Sequence, residues 1–201
     1  MAPGCLRTFE QIVAPTAVNI SIHEAKSKDD WLLIESWLAQ ERIWRYLGPP
    51  FTNGGFRQAA IAFGARNGSA LYFLAFSDNS PVGFVALSDI SIVHQRANVW
   101  YALGVAEYAG RGIMKEACRR VIDYAFRIRN LHSLYAWAIN GNDSSMAILR
   151  GNGFRQYGTQ RQAFGLDGKF VDVLWFDLLS PNQAGPANSS PATAVTAVVG
   201  R

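Results

Sequence analysis

Two short stretches of this chain carry residues whose types and spacing can do chemistry. The first is Glu107-Tyr108-Ala109-Gly110-Arg111-Gly112, set between an apolar run ending at Gly104 and the strongest amphipathic stretch in the sequence, which starts at Ile113. A strand that stops, two glycines and a helix that begins at once make an anion site on elementary grounds. The first amides of a helix have no intrahelical partners and point at whatever precedes them. Glycine lets the backbone adopt positive φ and approach a phosphate closely. Charge-assisted hydrogen bonds contribute about 1.5–3 kcal/mol each, so several together hold a pyrophosphate. The same pattern also describes a plain tight turn. It lacks the lysine-serine ending of the nucleoside-triphosphate loop and the spacing of the dinucleotide fingerprint, so neither of those sites is supported.

The second stretch is Asn142-Asp143-Ser144-Ser145-Met146-Ala147-Ile148-Leu149-Arg150-Gly151-Asn152-Gly153-Phe154. Taken by itself it is a capped helix followed by a turn into a strand. The two motifs in this order resemble the GNAT acetyltransferases, in which an Asn-x-x-Ser element, an apolar helix and Gly-Phe follow the Gly-x-Gly turn after about thirty residues. The resemblance covers roughly residues 18–179 and is greatest to the branch that acetylates ribosomal-protein N-termini and related amines. In that branch a strand like Val99-Trp100-Tyr101-Ala102-Leu103-Gly104 precedes the turn, and a segment like Leu166-Asp167-Gly168-Lys169-Phe170-Val171-Asp172 precedes the last strand.

What the resemblance implies is acetyl-CoA bound by Val105 and the amides around Gly110, Arg111, Gly112 and Ile113, with Asn142 near the pantetheine arm. Two departures stand out. Glu107 occupies a place where the wider family often has Arg or Gln, and its carboxylate is expected to point to solvent. Leu149 occupies the place of a tyrosine acid, and the branch then implies Ser145 as the donor to the departing sulfur. A role for Ser145 as a helix cap stays open beside it.

Acyl transfer from a thioester to an amine needs a neutral amine and an acceptor for one proton. Deprotonating an α-amino group near pKa 8 at pH 7 costs about 1.4 kcal/mol and a lysine amine about 4.6 kcal/mol. Without a conspicuous buried Glu or His, the sequence favours the more acidic amine. Asp89 and His94 are the base candidates by position, and Asp89 is taken as the catalytic one. His23 and His132 read as structural or exposed. The acceptor is expected over the early helices, where Trp44, Tyr46 and Phe51 concentrate, with Arg45 and Phe56 beside them. Such an aromatic cluster cradles an ammonium or simply forms core.

These residues must be positioned by elements of alternating type, because the apolar period changes repeatedly along the chain. Strands are predicted at 18–25, 70–76, 82–87, 97–104, 134–139, 154–163 and 170–179. Helices are predicted from Lys28, at 41–47, at 56–63, from Ile113 and at 142–150. The second and third strands should pair as a hairpin across Ser77-Asp78-Asn79-Ser80-Pro81. Ile113, Met114, Ala117, Cys118, Val121, Ile122, Ala125 and Phe126 form one helical stripe, and Lys115, Arg119, Arg120 and Arg127 read as a basic outer face. The expected fold class is α/β (α+β), the GNAT fold: a single mixed, mostly antiparallel six- to seven-stranded sheet flanked by about four helices.

The 201 residues suit one domain at 18–179 between a flexible segment at 1–17 and a Pro-, Asn- and Ser-rich tail at 180–201 expected to be disordered. Two cysteines make no disulfide framework, Cys118 reads as core, and no metal site is expected. The net charge of +4 suits a polyanionic ligand without choosing one. No apolar run reaches the roughly 18 residues a membrane span needs, and no signal pattern opens the chain, so the expectation is cytoplasmic. The function expected is acetyl transfer to a primary amine, a small molecule or a protein N-terminus, by a monomer or homodimer without nucleic-acid or membrane partners. The alternative is a non-catalytic acyl-CoA-binding regulatory protein of the same fold. A basic nucleic-acid-binding domain is a third reading, marked by steep salt dependence.

Overall fold

The computed structural model describes residues 19–48 and 58–181. In chain order these form β1 (Ile20–Glu24), α1 (Lys28–Leu38), α2 (Glu41–Trp44), α3 (Gln58–Arg66), β2 (Leu71–Ser77), β3 (Ser80–Ser91) and β4 (Arg96–Leu103). After a single 3-10 turn at Ala106–Tyr108 come α4 (Ile113–Arg127), β5 (Ser133–Ile139), α5 (Asp143–Gly151), β6 (Arg155–Leu166) and β7 (Lys169–Leu179). The seven strands make one sheet in the order β1-β2-β3-β4-β5-β7-β6, antiparallel everywhere except between β4 and β5.

Turn chemistry sets the hairpins. Asp78 (φ 48°) and Asn79 (φ 70°) alone join β2 to β3, with Ser77 opposite Ser80. Two consecutive positive-φ residues match the strands' right-handed twist, so the turn is shorter than the five residues the sequence suggests. Asp167 and Gly168 join β6 to β7 the same way. Pro81, which has no amide to donate, lies opposite Phe76 where the β2–β3 register shifts.

Alternation along the strands divides the core between the two faces. Val85, Leu87, Ala97 and Val99 face α4, whose predicted stripe from Ile113 to Phe126 is buried at all eight positions, Cys118 included. Phe84, Ala86, Tyr72 and Ala102 face α1 and its neighbours through Trp31, Ile34, Trp37 and Leu38. α1 starts at a capping box: the Asp30 amide donates to Ser27 Oγ at 3.1 Å, and the Ser27 amide donates to Asp30 Oδ2 at 2.9 Å.

The basic face read on α4 needs correcting. Glu116 takes Arg119 at 2.7 Å and Arg120 at 2.9 Å, and Asp123 takes Arg119 at 2.9 Å, so carboxylates one turn away neutralise two of its four cations. These guanidiniums hold the Glu116 carboxyl down at about 2, Arg119 through the larger effect. No helix among the described residues is long and apolar enough to cross a membrane.

Candidate active site

β4 and β5 pair at three positions only, Arg96 with Ser133, Ala97 with Leu134 and Asn98 with Tyr135. Beyond Asn98 the two strands diverge, each held on its far side by β3 or β7. Val99–Leu103 and Ala136–Ala138 thus line a cleft of about 1100 Å³ instead of pairing with each other. The β4–β5 ladder ends at Asn98 and Tyr135, before this stretch. The diverging edges offer main-chain donors and acceptors to an extended ligand.

The strand's end is fixed by close contacts. Arg42 donates to the carbonyls of Leu103 (2.9 Å) and Gly104 (2.6 Å), and Gln40 Nε2 donates to Gly104 at 3.2 Å. A Cβ on Gly104 would run into the Trp37 ring, so glycine there is required by packing. The chain then turns through Gly110 (φ 75°) and Gly112 (φ 74°), where an added Cβ would meet nothing within 4 Å. There glycine is required by conformation, and the space beside it is open. Gly112 is the N-cap of α4, with no side-chain cap, and the helix's first bond runs from the Glu116 amide to the Gly112 carbonyl (3.1 Å). The amides of Ile113, Met114 and Lys115 therefore have no partner within the helix.

Of the predicted cofactor residues, Gly110, Gly112, Ile113 and Asn142 line this cleft. Val105 and Arg111 do not: Val105 donates its amide to the Val82 carbonyl (3.0 Å), and the Arg111 guanidinium lies over the Tyr108 ring at 4.9 Å. Glu107 is exposed and off the wall, as expected. Lys115, assigned to the outer face by sequence, is on the wall in the first turn of α4. Its place three residues after the N-cap was the available signal.

On the same side, the cap of α5 is Asn142 and not Ser145. Asn142 Oδ1 accepts from the Ser145 amide at 3.2 Å and from the Ser144 hydroxyl at 3.1 Å. The Ser145 hydroxyl is left to a different partner, Tyr101. The Tyr101 hydroxyl donates to the Ser145 carbonyl at 2.8 Å and lies 3.0 Å from Ser145 Oγ. Burial first, then the nearby Cys118 thiol, pushes the Tyr101 phenol up far above its ordinary range, against the opposing effect of its bond to Ser145. Tyr101 thus stays neutral, and its link to Ser145 was not foreseen.

At the opposite end, Asp89 has φ 51° in a register shift between Ser88 and Ser91, and it lines the cleft. The Tyr135 hydroxyl donates to Asp89 Oδ2 at 3.4 Å. Asn98 Nδ2 donates to Ser88 Oγ at 3.3 Å, and Asn98 Oδ1 is buried with no hydrogen-bond partner. Tyr72 is pushed up to about 12, by burial first and then by the negative charge of Asp89.

The expected acceptor residues separate. Tyr46 lines the cleft, whereas Trp44 lies in a second pocket of about 140 Å³ against Phe164 and Leu166 of the β6–β7 hairpin. Phe51 and Phe56 lie outside the described residues. His94 is exposed in the β3–β4 turn and is not on the wall. No group of three or more His, Cys, Asp or Glu that could hold a metal occurs among the described residues.

Residues 20–155, more than half of the chain, match the family described as the acetyltransferase (GNAT) domain. A Bacillus subtilis relative named as a ribosomal N-acetyltransferase is 31% identical over 54% of this chain and 58% of its own length. The Escherichia coli spermidine N(1)-acetyltransferase is 31% identical over 51% of this chain and 54% of its own length. The matched segment thus spans little more than half of either relative. In shape, the ribosomal-protein-S5-alanine acetyltransferase of Vibrio fischeri matches with a TM-score of 0.68 at 24% identity, over 81% of this chain and 94% of that one. The spermidine N-acetyltransferase of Vibrio cholerae in complex with CoA and spermine matches with a TM-score of 0.69 at 20% identity, over 80% and 95%.

Proposed function

The chain belongs to the GNAT acetyltransferase family, and from that premise we propose that it transfers an acetyl group from acetyl-CoA to a primary amine by direct attack in a ternary complex. The observation that carries this is the uncapped, glycine-led start of α4 opening onto the divergence of β4 and β5. The free amides of the first turn suit a pyrophosphate, and the cation of Lys115 in that same turn, on the cleft wall, suits its charge. The diverging edges of β4 and β5, which do not pair with each other beyond Asn98 and Tyr135, suit the amide groups of a pantetheine arm. The thioester supplies an activated acyl carbon.

In the reaction the amine nitrogen bonds to the acyl carbon, the carbon–sulfur bond breaks with its electron pair going to sulfur, and the nitrogen sheds a proton. Asp89, the one carboxylate on the cleft wall among the described residues, accepts that proton, directly or through water. Ser145 serves the other end by donating its hydroxyl hydrogen bond to the departing sulfur. A serine hydroxyl is far less acidic than a thiol near 8.5, so it stabilises the thiolate as a donor, and the proton that completes the thiol comes from water. The Tyr101 hydroxyl lies between the Ser145 carbonyl and Ser145 Oγ, and by turning its one hydrogen from the carbonyl to Oγ it orients the serine and leaves the serine hydrogen for the sulfur.

The relatives named for spermidine and for ribosomal proteins support amines as the acceptor class. A cytoplasmic monomer or homodimer completes the proposal. Following CoA thiol release across a panel of α-amino peptides and small amines tests it. Acetyl-CoA-dependent release with at least one amine is expected; tight CoA binding with no turnover across the panel would contradict catalysis.

A further inference from the structure

Resting on that acetyl-transfer reading, the far end of the cleft indicates which amine enters it. Ser88 of β3 and Asn98 of β4 are register partners, and the adjoining bulge turns the next residue, Asp89, into the left-handed region. Two hydrogen-bond acceptors collect there. One is the Asp89 carboxylate, held at one oxygen by the Tyr135 hydroxyl. The other is Asn98 Oδ1, buried and without a partner while its amide nitrogen is engaged by Ser88. A buried carbonyl oxygen left alone is costly, and a non-glycine residue at positive φ is strained. The orphaned oxygen and the carboxylate beside it are matched by a ligand that brings N–H donors and no acceptor. An ammonium has three donors and none to accept with.

Charge narrows the class. Asp89 is the one carboxylate on the cleft wall among the described residues, against the cations Arg42 and Lys115. A polyamine spreads several positive charges along its length, and each would need an acidic partner that this wall lacks. The neighbouring surface is aromatic instead, with Tyr72 packed edge-on against Trp100 at 6.1 Å. We propose that Asp89 and Asn98 together form the amine-recognition subsite, and that the acceptor carries a single cationic centre on an apolar or aromatic body, not a polycation.

Calorimetry on the CoA-saturated protein tests this with phenethylamine, an alanine-led amidated tripeptide and spermidine. The single-charge amines should bind, and spermidine should bind no more tightly than they do. Asp89→Asn and Asn98→Leu should each weaken phenethylamine binding about tenfold or more with CoA affinity unchanged within twofold, whereas Asn98→Asp, which keeps an acceptor oxygen, should retain it. Tighter binding of spermidine, unchanged amine affinity in both Asp89→Asn and Asn98→Leu, loss of binding in Asn98→Asp, or no amine binding at all would overturn the subsite. A wild-type protein that fails to bind CoA would instead overturn the acetyl-transfer reading, and the subsite with it.

Discussion

At the α4 end of the cleft the polar groups are main-chain amides exposed by Gly110 and Gly112, whereas at the Asp89 end they are side chains contributed by β3, β4 and β5. The first end tolerates many side-chain changes so long as nothing intrudes, because amides belong to every non-proline residue. The second depends on individual atoms. Isosteric changes such as Asp to Asn should be felt there, whereas bulk and charge should be felt at the first.

The largest expected effect breaks the main-chain end directly. Gly112→Asp adds a side chain at φ 74° and a negative charge in the open space before α4. Losing two charge-assisted hydrogen bonds of about 1.5–3 kcal/mol each corresponds to a fall in CoA affinity on the order of 10²-fold or more. Isothermal calorimetry reads this, and a change under threefold would contradict the assignment. Next comes Ser145→Ala, which leaves the Asn142 cap intact. Removing a donor to the departing sulfur should lower kcat by roughly 10- to 100-fold, the worth of one hydrogen bond to a charged group, with CoA affinity unchanged; wild-type kcat would end its catalytic role. Tyr101→Phe keeps the ring and removes only the hydroxyl that orients Ser145. Its kcat should fall less, by about threefold to tenfold, the net worth of one neutral hydrogen bond.

The smallest effect sharpens the contrast. Glu116 lies one turn into α4, paired with Arg119 and Arg120. If the anion is held by main chain, Glu116→Gln should change CoA affinity by less than about threefold while costing about 0.5–1 kcal/mol of stability, as exposed ion pairs do. Its folded carboxyl, near 2, lies below the ordinary 4.5. The carboxylate's contribution is therefore complete above about 4.5 and lost as pH falls through about 2. Denaturant melts of both proteins should diverge by a constant amount above pH 4.5 and converge below it; a difference that grows on acidification would contradict the pairing.

Legibility in the sequence follows the same division. The stripe of α4 and the glycine turn were readable because their signals are local: a helical period, and residue types tied to positive φ and an uncapped helix start. The Tyr101–Ser145 bond joins residues 44 apart in sequence, and Ser88 meets Asn98 only through the β3–β4 register. No periodicity announces either. The separation of Trp44 from Tyr46 is not legible in the sequence because α2 has only four residues, too few to define which face meets the cleft and which meets the β6–β7 hairpin. The basic face of α4 was misread because counting cations omitted Glu116 and Asp123, at the helical spacing that neutralises them.

Titrating the nitrogen-15-labelled protein with CoA tests the anion site most directly. The largest amide shifts should fall on Gly110, Gly112, Ile113 and Met114 and should persist in the Asp89→Asn protein. Shifts confined to other parts of the chain, with these four amides unmoved at saturation, would contradict it.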